Sequence, residues 1–152
     1  MVMIVIGSDH GGLELKNVII RHLMKRDIKL YDAGTDTNDS VDYPLFAEKV
    51  ALLVATGEAD LGILICGTGI GMSIAANKVP GVRAALVTDI FMAQMAKEHN
   101  NANILVLGGR VIDPETGCKL VDTWLDARFE EGRHSKRIEM IDEIEKKYLK
   151  QG

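Results

Sequence analysis

The sequence predicts one α/β domain, a doubly wound fold with a five-stranded parallel sheet flanked by helices. Two patterns point to it. Short apolar runs alternate with longer stretches of helical period along the whole chain. Several runs are apolar at every position, as a strand covered on both faces must be. A length of 152 residues leaves room for one domain with a real core, taken here as residues 1–152.

Met3-Ile4-Val5-Ile6 is the first strand and stops at Gly7. From Leu13 to Arg26, Leu15, Ile19 and Leu23 recur every fourth residue and define a helix face. Ile28 to Tyr31 is a second strand, and the Gly, Asn, Asp and Ser content of Asp32 to Asp42 marks a loop. Pro44 suits the first turn of a helix whose stripe of Leu45, Phe46, Val50, Leu53 and Val54 ends at Gly57. Leu61 to Ile65 is the third strand, Gly67 to Gly71 a glycine-rich turn, and Ile70 to Lys78 a short helix. Val82 to Val87 is the fourth strand; Thr88 or Asp89 caps a helix carrying Ile90, Phe91 and Met95. Ile104 to Leu107 is the fifth strand, ending in Gly108-Gly109. Two helices follow, from about Pro114 to Arg128 and from about Ser135 to Lys150.

Composition excludes whole classes of function. At 47% hydrophobic and 26% charged, the chain is not a disordered one. A net charge of −4 disfavours binding to nucleic acid or an anionic membrane through bulk charge, so an anionic ligand needs a local positive site. No apolar run reaches the roughly 20 residues of a membrane span. Met1 to Gly7 have no basic n-region, so no secretory signal is expected. Cys66 and Cys118 are too few for a disulfide framework and fit a reducing, cytoplasmic setting.

Ligands of open α/β sheets sit outside the carboxyl ends of the strands. Expected there are Gly7-Ser8-Asp9-His10-Gly11-Gly12, Cys66-Gly67-Thr68-Gly69-Ile70-Gly71, Gly108-Gly109-Arg110 and, just ahead of the fifth strand, His99-Asn100-Asn101. Alternate glycines let backbone N–H groups converge, and a helix start adds its positive end. That makes an anion cradle, or an oxyanion hole for developing charge. Taken alone, Cys66 reads as a small buried hydrophobe; beside this loop it reads as a reactive thiol that Thr68 can hydrogen-bond. His10 and His99 can exchange protons near neutral pH. Arg133 and Arg137, four apart, share a helix face and can clamp a phosphate, whereas alone they read as a solvated basic face. Gly67-x-Gly69-x-Gly71 is neither a dinucleotide fingerprint nor a Walker A loop. A zinc site from Asp9, His10, Cys66 and His99 lacks zinc-like local spacing.

These segments, together with Ala75-Ala76-Asn77-Lys78 and His99-Asn100-x-Ala102-Asn103, resemble the B-type ribose-5-phosphate isomerases, a family that includes allose- and galactose-phosphate isomerases. The resemblance runs in order over nearly the whole chain. It implies a Rossmann-like homodimer or dimer of dimers, with no metal and no organic cofactor. It implies interconversion of ribose 5-phosphate and ribulose 5-phosphate, with pentose phosphate metabolism as the setting. Cys66 is then the base that moves a proton between C1 and C2, assisted by Thr68, and the backbone of Gly67, Gly69, Ile70 and Gly71 stabilises the enediolate. His99 opens the sugar ring, Asp9, His10 and Asn100 hold sugar oxygens or assist ring opening, and Arg110, Arg133 and Arg137 hold the phosphate. Some relatives use a glutamate further along the loop as base; Ala75 stands nine residues on from Cys66 here, which fits the cysteine branch. Glu130-Glu131-Gly132-Arg133 carries an acidic residue where the family often has a second glycine. The alternatives are a hexose-6-phosphate isomerase and, from another class, a non-catalytic phosphate- or nucleotide-binding module. A redox protein is disfavoured because Cys66 has no C-x-x-C partner.

Overall fold

The computed structural model describes residues 2–149. Five strands, β1 (Met3–Ser8), β2 (Lys29–Asp32), β3 (Leu61–Cys66), β4 (Ala84–Leu86) and β5 (Ile104–Gly108), form one sheet in the order β2-β1-β3-β5-β4. Every pairing is parallel. Six helices connect or follow them: α1 (Leu13–Lys25), α2 (Tyr43–Ala55), α3 (Ile70–Ala76), α4 (Ile90–Glu98), α5 (Pro114–Asp126) and α6 (Arg133–Tyr148). This is the Rossmann-like α/β class, as expected.

Alternation along the strands builds two cores. Ile4, Ile6, Ile63, Ile65, Leu105 and Leu107 face one layer, where they meet Leu15, Ile19 and Leu23 of α1, Ala93 and Ala96 of α4, and Leu120, Val121 and Trp124 of α5. Val5, Leu64, Cys66 and Val106 face the other, against Ala47, Val50 and Val54 of α2 and Met72 and Ala76 of α3. Each fully buried Leu, Ile or Val contributes about 1.5–3 kcal/mol. The helix starts follow local chemistry. Pro44 lies in the first turn of α2. Asp89 caps α4 by accepting from the Met92 N–H at 2.8 Å, and Asp113 caps α5 from the Thr116 N–H at 2.8 Å.

The sheet edge at β4 is closed by a side chain. Asn77 Oδ1 accepts from the Ala84 N–H at 2.9 Å and its Nδ2 donates to the Ala84 carbonyl at 3.0 Å. β4 is shorter than the expected Val82 to Val87 run. The last helix begins at Arg133 rather than Ser135, and its expected end at Lys150 lies outside the described residues. Among the described residues it packs extensively along no other strand or helix. His134 and Ile138 are buried on its inner side, and Glu145 accepts from the Gly81 N–H. Met140, Ile144 and Tyr148 form an exposed apolar ridge.

Trp124 is fully buried and its indole N–H donates to the Ala102 carbonyl at 3.3 Å, tying α5 to the segment that enters β5. Trp124→Ala is expected to destabilise the fold by about 3–5 kcal/mol in denaturant titration.

Candidate active site

The loops after β1, β3 and β5 meet at the carboxyl edge of the sheet because those strands are neighbours. Their backbones are zipped together: the Asp9 N–H donates to the Ile65 carbonyl at 3.2 Å, Gly109 to Cys66 at 2.8 Å, and Arg110 to Gly67 at 2.9 Å. Glycine is required by this proximity. A Cβ on Gly12 would stand 2.6 Å from the Ile65 carbonyl oxygen, and one on Gly109 would stand 2.7 Å from that of Gly11. Asp9 is buried and its carboxylate accepts from the Gly11 N–H at 2.9 Å, capping a single 3-10 turn over His10–Gly12. The loops leave a cleft of about 300 Å³ lined by His10, Gly11, Glu14, Asn38, Gly109 and Arg110. A larger groove of about 440 Å³ beside α2, with Met3, Tyr31 and Leu52 among its lining, contains none of the expected site residues.

Cys66 ends β3 with its thiol buried at the lip of the glycine turn. The group that reaches its sulfur is the Gly69 N–H, which donates to Sγ at 3.2 Å. That placement depends on the left-handed conformation of Gly69, at φ +84°. Thr68 does not take the expected place on the thiol: its Oγ1 accepts from the Ile70 N–H at 3.3 Å and caps the turn into α3. Its hydroxyl proton remains available to a ligand, since a hydroxyl both donates and accepts. The Arg110 guanidinium lies over Gly67, whose Cβ would stand 3.1 Å from its Nη1. A cation, a thiol and a run of backbone amides thus surround one short turn.

His99 and Asn100 do not join this group within the chain. His99 is the C-cap of α4, a helix that starts beyond the end of β4 and returns the chain to the start of β5. In a parallel sheet that return ends at the amino edge. The sequence-based expectation that His99 shares the carboxyl edge is corrected accordingly: the length of β5, about 13 Å, separates the two edges. A second cluster forms there. The Glu130 N–H donates to the Glu98 carbonyl at 2.9 Å, and the His99 and His134 rings stack with centroids 4.1 Å apart. Arg133 opens α6 beside them and Arg137 follows one turn on, both exposed. Asp9, His10, Cys66 to Gly71 and Arg110 therefore gather at the carboxyl edge, while His99, Asn100, Arg133 and Arg137 lie apart from them.

His99, Glu130 and His134 are the described residues that come nearest to a metal site, with ligand atoms within 4.8 Å of one another. Their rings are only 14° from parallel, so the nitrogen lone pairs run side by side rather than converging on one ion. Among the described residues, no helix is long and apolar enough to cross a membrane.

Four contributors escaped sequence reasoning. The Tyr43 ring abuts Gly71, where a Cβ would stand 2.5 Å from its Cζ; the sequence shows only an aromatic before Pro44. The Val41 N–H donates to His10 Nδ1 at 3.2 Å, and no sequence pattern signals a backbone contact of that kind. Lys16, fully buried on α1, pairs with Asp32 at 2.6 Å; a lysine on the buried face of a helix is a signal that was available. His134 follows Arg133 and is masked by its polar neighbours.

Fold and site together define a Rossmann-like α/β protein with a buried thiol set into a cluster of glycine-rich loops. Within that class the chain belongs to the ribose/galactose isomerase family, whose model matches residues 4–141. It is 47% identical over 147 residues to ribose-5-phosphate isomerase B of Escherichia coli, covering 97% of this chain and 99% of that one. The solved structure of ribose-5-phosphate isomerase B from Clostridium thermocellum superposes with a TM-score of 0.96 at 57% identity, over 97% of this chain and all of the other. That of Mycoplasma genitalium, solved with bound ribulose 5-phosphate, gives 0.92 at 47% identity, over 95% and 97%.

Gly109→Ala is expected to force the β1 and β5 loops apart. Thermal unfolding should show a loss of about 1–3 kcal/mol, with weaker anion binding at the cleft. Burial, the stacked His99 ring and the neighbouring Arg133 hold the His134 imidazole below its ordinary value of 6.5, against the pull of Glu130. The unfolded chain then takes up a proton that the folded chain refuses. Stability supplied above pH 6.5 is lost as pH falls below it. His134→Gln is expected to flatten that part of the Tm-against-pH curve.

Proposed function

We propose that the chain is an aldose–ketose isomerase that interconverts ribose 5-phosphate and ribulose 5-phosphate, as a cytoplasmic homodimer or a dimer of such dimers. The observation that carries the reading is the Gly67–Gly71 turn, which has the Cys66 thiol and the Arg110 guanidinium against it; the same arginine also lines the neighbouring cleft of about 300 Å³. The relatives, aligned over nearly their whole length, support it. Two free thiols support a reducing compartment.

The Cys66 thiolate takes the C2 hydrogen of the open-chain aldose. The electron pair forms the C1–C2 double bond and charge develops on O1. In the turn from Gly67 to Gly71 the Gly69 N–H is held by Sγ and the Ile70 N–H by Thr68, so the remaining backbone N–H groups and the Thr68 hydroxyl face that charge; one such donor is typically worth about 10²–10³ in rate. The thiol returns the proton to C1 as the O2 proton passes to O1, which completes the ketose. Arg110 and His10 hold the substrate at the cleft, and the binding energy of the phosphate orients the carbons over the sulfur. Asp9, already engaged with the Gly11 N–H, fixes the loop that carries His10.

Ring opening needs a proton carrier beside the same sugar, and His99 lies at the far edge of its own chain. In the proposed dimer the partner's His99, with its Asn100, Arg133 and Arg137, closes the site over Cys66. Two such sites form for each pair of chains.

Turnover with ribose 5-phosphate, allose 6-phosphate and galactose 6-phosphate tests the substrate. The highest kcat/KM is expected with ribose 5-phosphate. Preference for a hexose phosphate moves the physiological role to hexose metabolism, and binding without loss of the C2 hydrogen to solvent would leave only a binding module. Complementation tests the shared site. Cys66→Ala and His99→Asn are each expected to lose ring-opening isomerisation while remaining folded. Remixed from denaturant in equal amounts, they should recover about one quarter of wild-type activity, since half the dimers are mixed and each of those carries one intact site. No recovery on mixing would refute the shared site.

A further inference from the structure

We propose that the backbone amide of Val41 is a positioning group that fixes the tautomer of His10, so that His10 meets the substrate phosphate as an Nε2–H donor. The proposal rests on the sugar-phosphate reading only for the identity of the anion. Its geometric part stands on this chain.

A backbone N–H can only donate, so the ring nitrogen that receives it carries no proton. The Val41 N–H reaches His10 Nδ1 at 3.2 Å. The single ring proton of the neutral imidazole is therefore on Nε2. His10 lines the cleft with Gly11, Asn38 and Arg110, and among the described residues its Nε2 has no hydrogen-bond partner. In the other tautomer the ring would turn a lone pair toward the phosphate oxygens beside Arg110. With Nδ1 engaged, it offers them a hydrogen.

Val41 is held in place from both ends of its loop. At the start, Asp32 accepts from the buried Lys16 at 2.6 Å and from the Gly34 N–H at 2.9 Å. The following residues continue the sheet: Ala33 donates to Ile6 at 2.8 Å, Thr35 donates to Ser8 at 2.7 Å, and the Ser8 N–H donates to Gly34 at 2.6 Å. At the other end, Asp42 is the N-cap of α2 and its carbonyl accepts from the Leu45 N–H at 3.2 Å, while Tyr43 rests on Gly71. The Lys16–Asp32 pair thus bears on substrate binding indirectly, through the loop that presents the Val41 amide. Lys16 is placed too deep to reach a ligand itself.

The experiment is long-range proton–nitrogen correlation on the imidazole rings of the intact protein, without ligand and with inorganic phosphate, paired with steady-state kinetics. In wild type, His10 should show an unprotonated Nδ1 and a protonated Nε2, with the Nε2 signal shifting on phosphate addition. Val41→Pro removes the donor and should give a mixture of tautomers. It should also raise KM for the phosphorylated sugar about tenfold, the worth of one hydrogen bond to a charged group, with kcat little changed. Val41→Ala retains the N–H and should keep the wild-type ring signature. His10→Gln places an amide donor near the Nε2 position and should bind phosphate better than His10→Asn, whose amide reaches only to Nδ1. The Gln/Asn pair carries the test if the proline variant does not fold. A protonated Nδ1 in wild type, an unchanged signature in folded Val41→Pro, or Asn matching Gln would each overturn the proposal. Failure of the isomerase reading would show separately, as the expected tautomer without turnover of any sugar phosphate.

Discussion

The site depends on three backbone loops approaching more closely than side chains allow. The carbonyls of Gly11, Ile65 and Thr68 occupy the space where Cβ atoms of Gly109, Gly12 and Gly108 would stand. In return, the loops exchange hydrogen bonds as if the sheet continued past its end. The strand order serves this contact. β1, β3 and β5 occupy the middle of the sheet, and β2 and β4 are displaced to its edges. The chemistry-bearing loops therefore become neighbours, while the loop after β2 approaches them from the side, through Asn38 and Val41, with Tyr43 at the start of α2. Rigidity matters to the chemistry, because an oxyanion hole made of amides works only if it need not reorganise as charge appears.

The same parallel topology limits what one chain can assemble. Each crossover helix carries the chain back from the carboxyl edge to the amino edge. Residues at the ends of those helices are excluded from the site by the connection rule, whatever their chemistry. His99 is one such residue, and the segment leading into α6 joins it through the Glu130–Glu98 backbone bond and the stack of His134 on His99. The molecule thus keeps a buried thiol in a glycine-rich loop cluster at one edge and a histidine–arginine cluster at the other.

Much of this was legible in the sequence. Every strand and helix was visible because the apolar periods are strong and Gly and Pro mark the breaks, as at Gly57 and Pro44. Asp9, His10, Cys66, the glycine turn and Arg110 were visible because each follows a strand directly. Sequence shows that His99 lies close to β5, but its place at the amino edge follows only from the direction in which α4 returns the chain. The Gly69 N–H on Cys66 was not legible, because side chains are visible in a sequence and the direction of an amide is not; Thr68 accepts from the Ile70 N–H in its own turn. Contacts such as Val41 with His10 depend on the path of an irregular loop, for which sequence offers composition but no period.

Two complementary halves on opposite edges permit two modes of association. Head-to-tail stacking satisfies one half of each chain at a time and leaves an open end that recruits another copy; a two-fold pair satisfies both at once. The apolar surface is arranged in a way that suits the proposed closed pair. Ile70 and Ile74 are exposed on α3, which begins at the thiol-bearing turn, and Met140 and Ile144 are exposed on α6, which begins at the arginine cluster. In a two-fold dimer, α6 of each chain can cover α3 of the other, so the same apolar contact forms twice and brings Arg133 and Arg137 toward the neighbouring cleft each time. Each large aliphatic side chain so buried contributes about 1.5–3 kcal/mol. The proposed pair would also give α6, which buries only His134 and Ile138 against its own chain, a partner for its exposed apolar ridge.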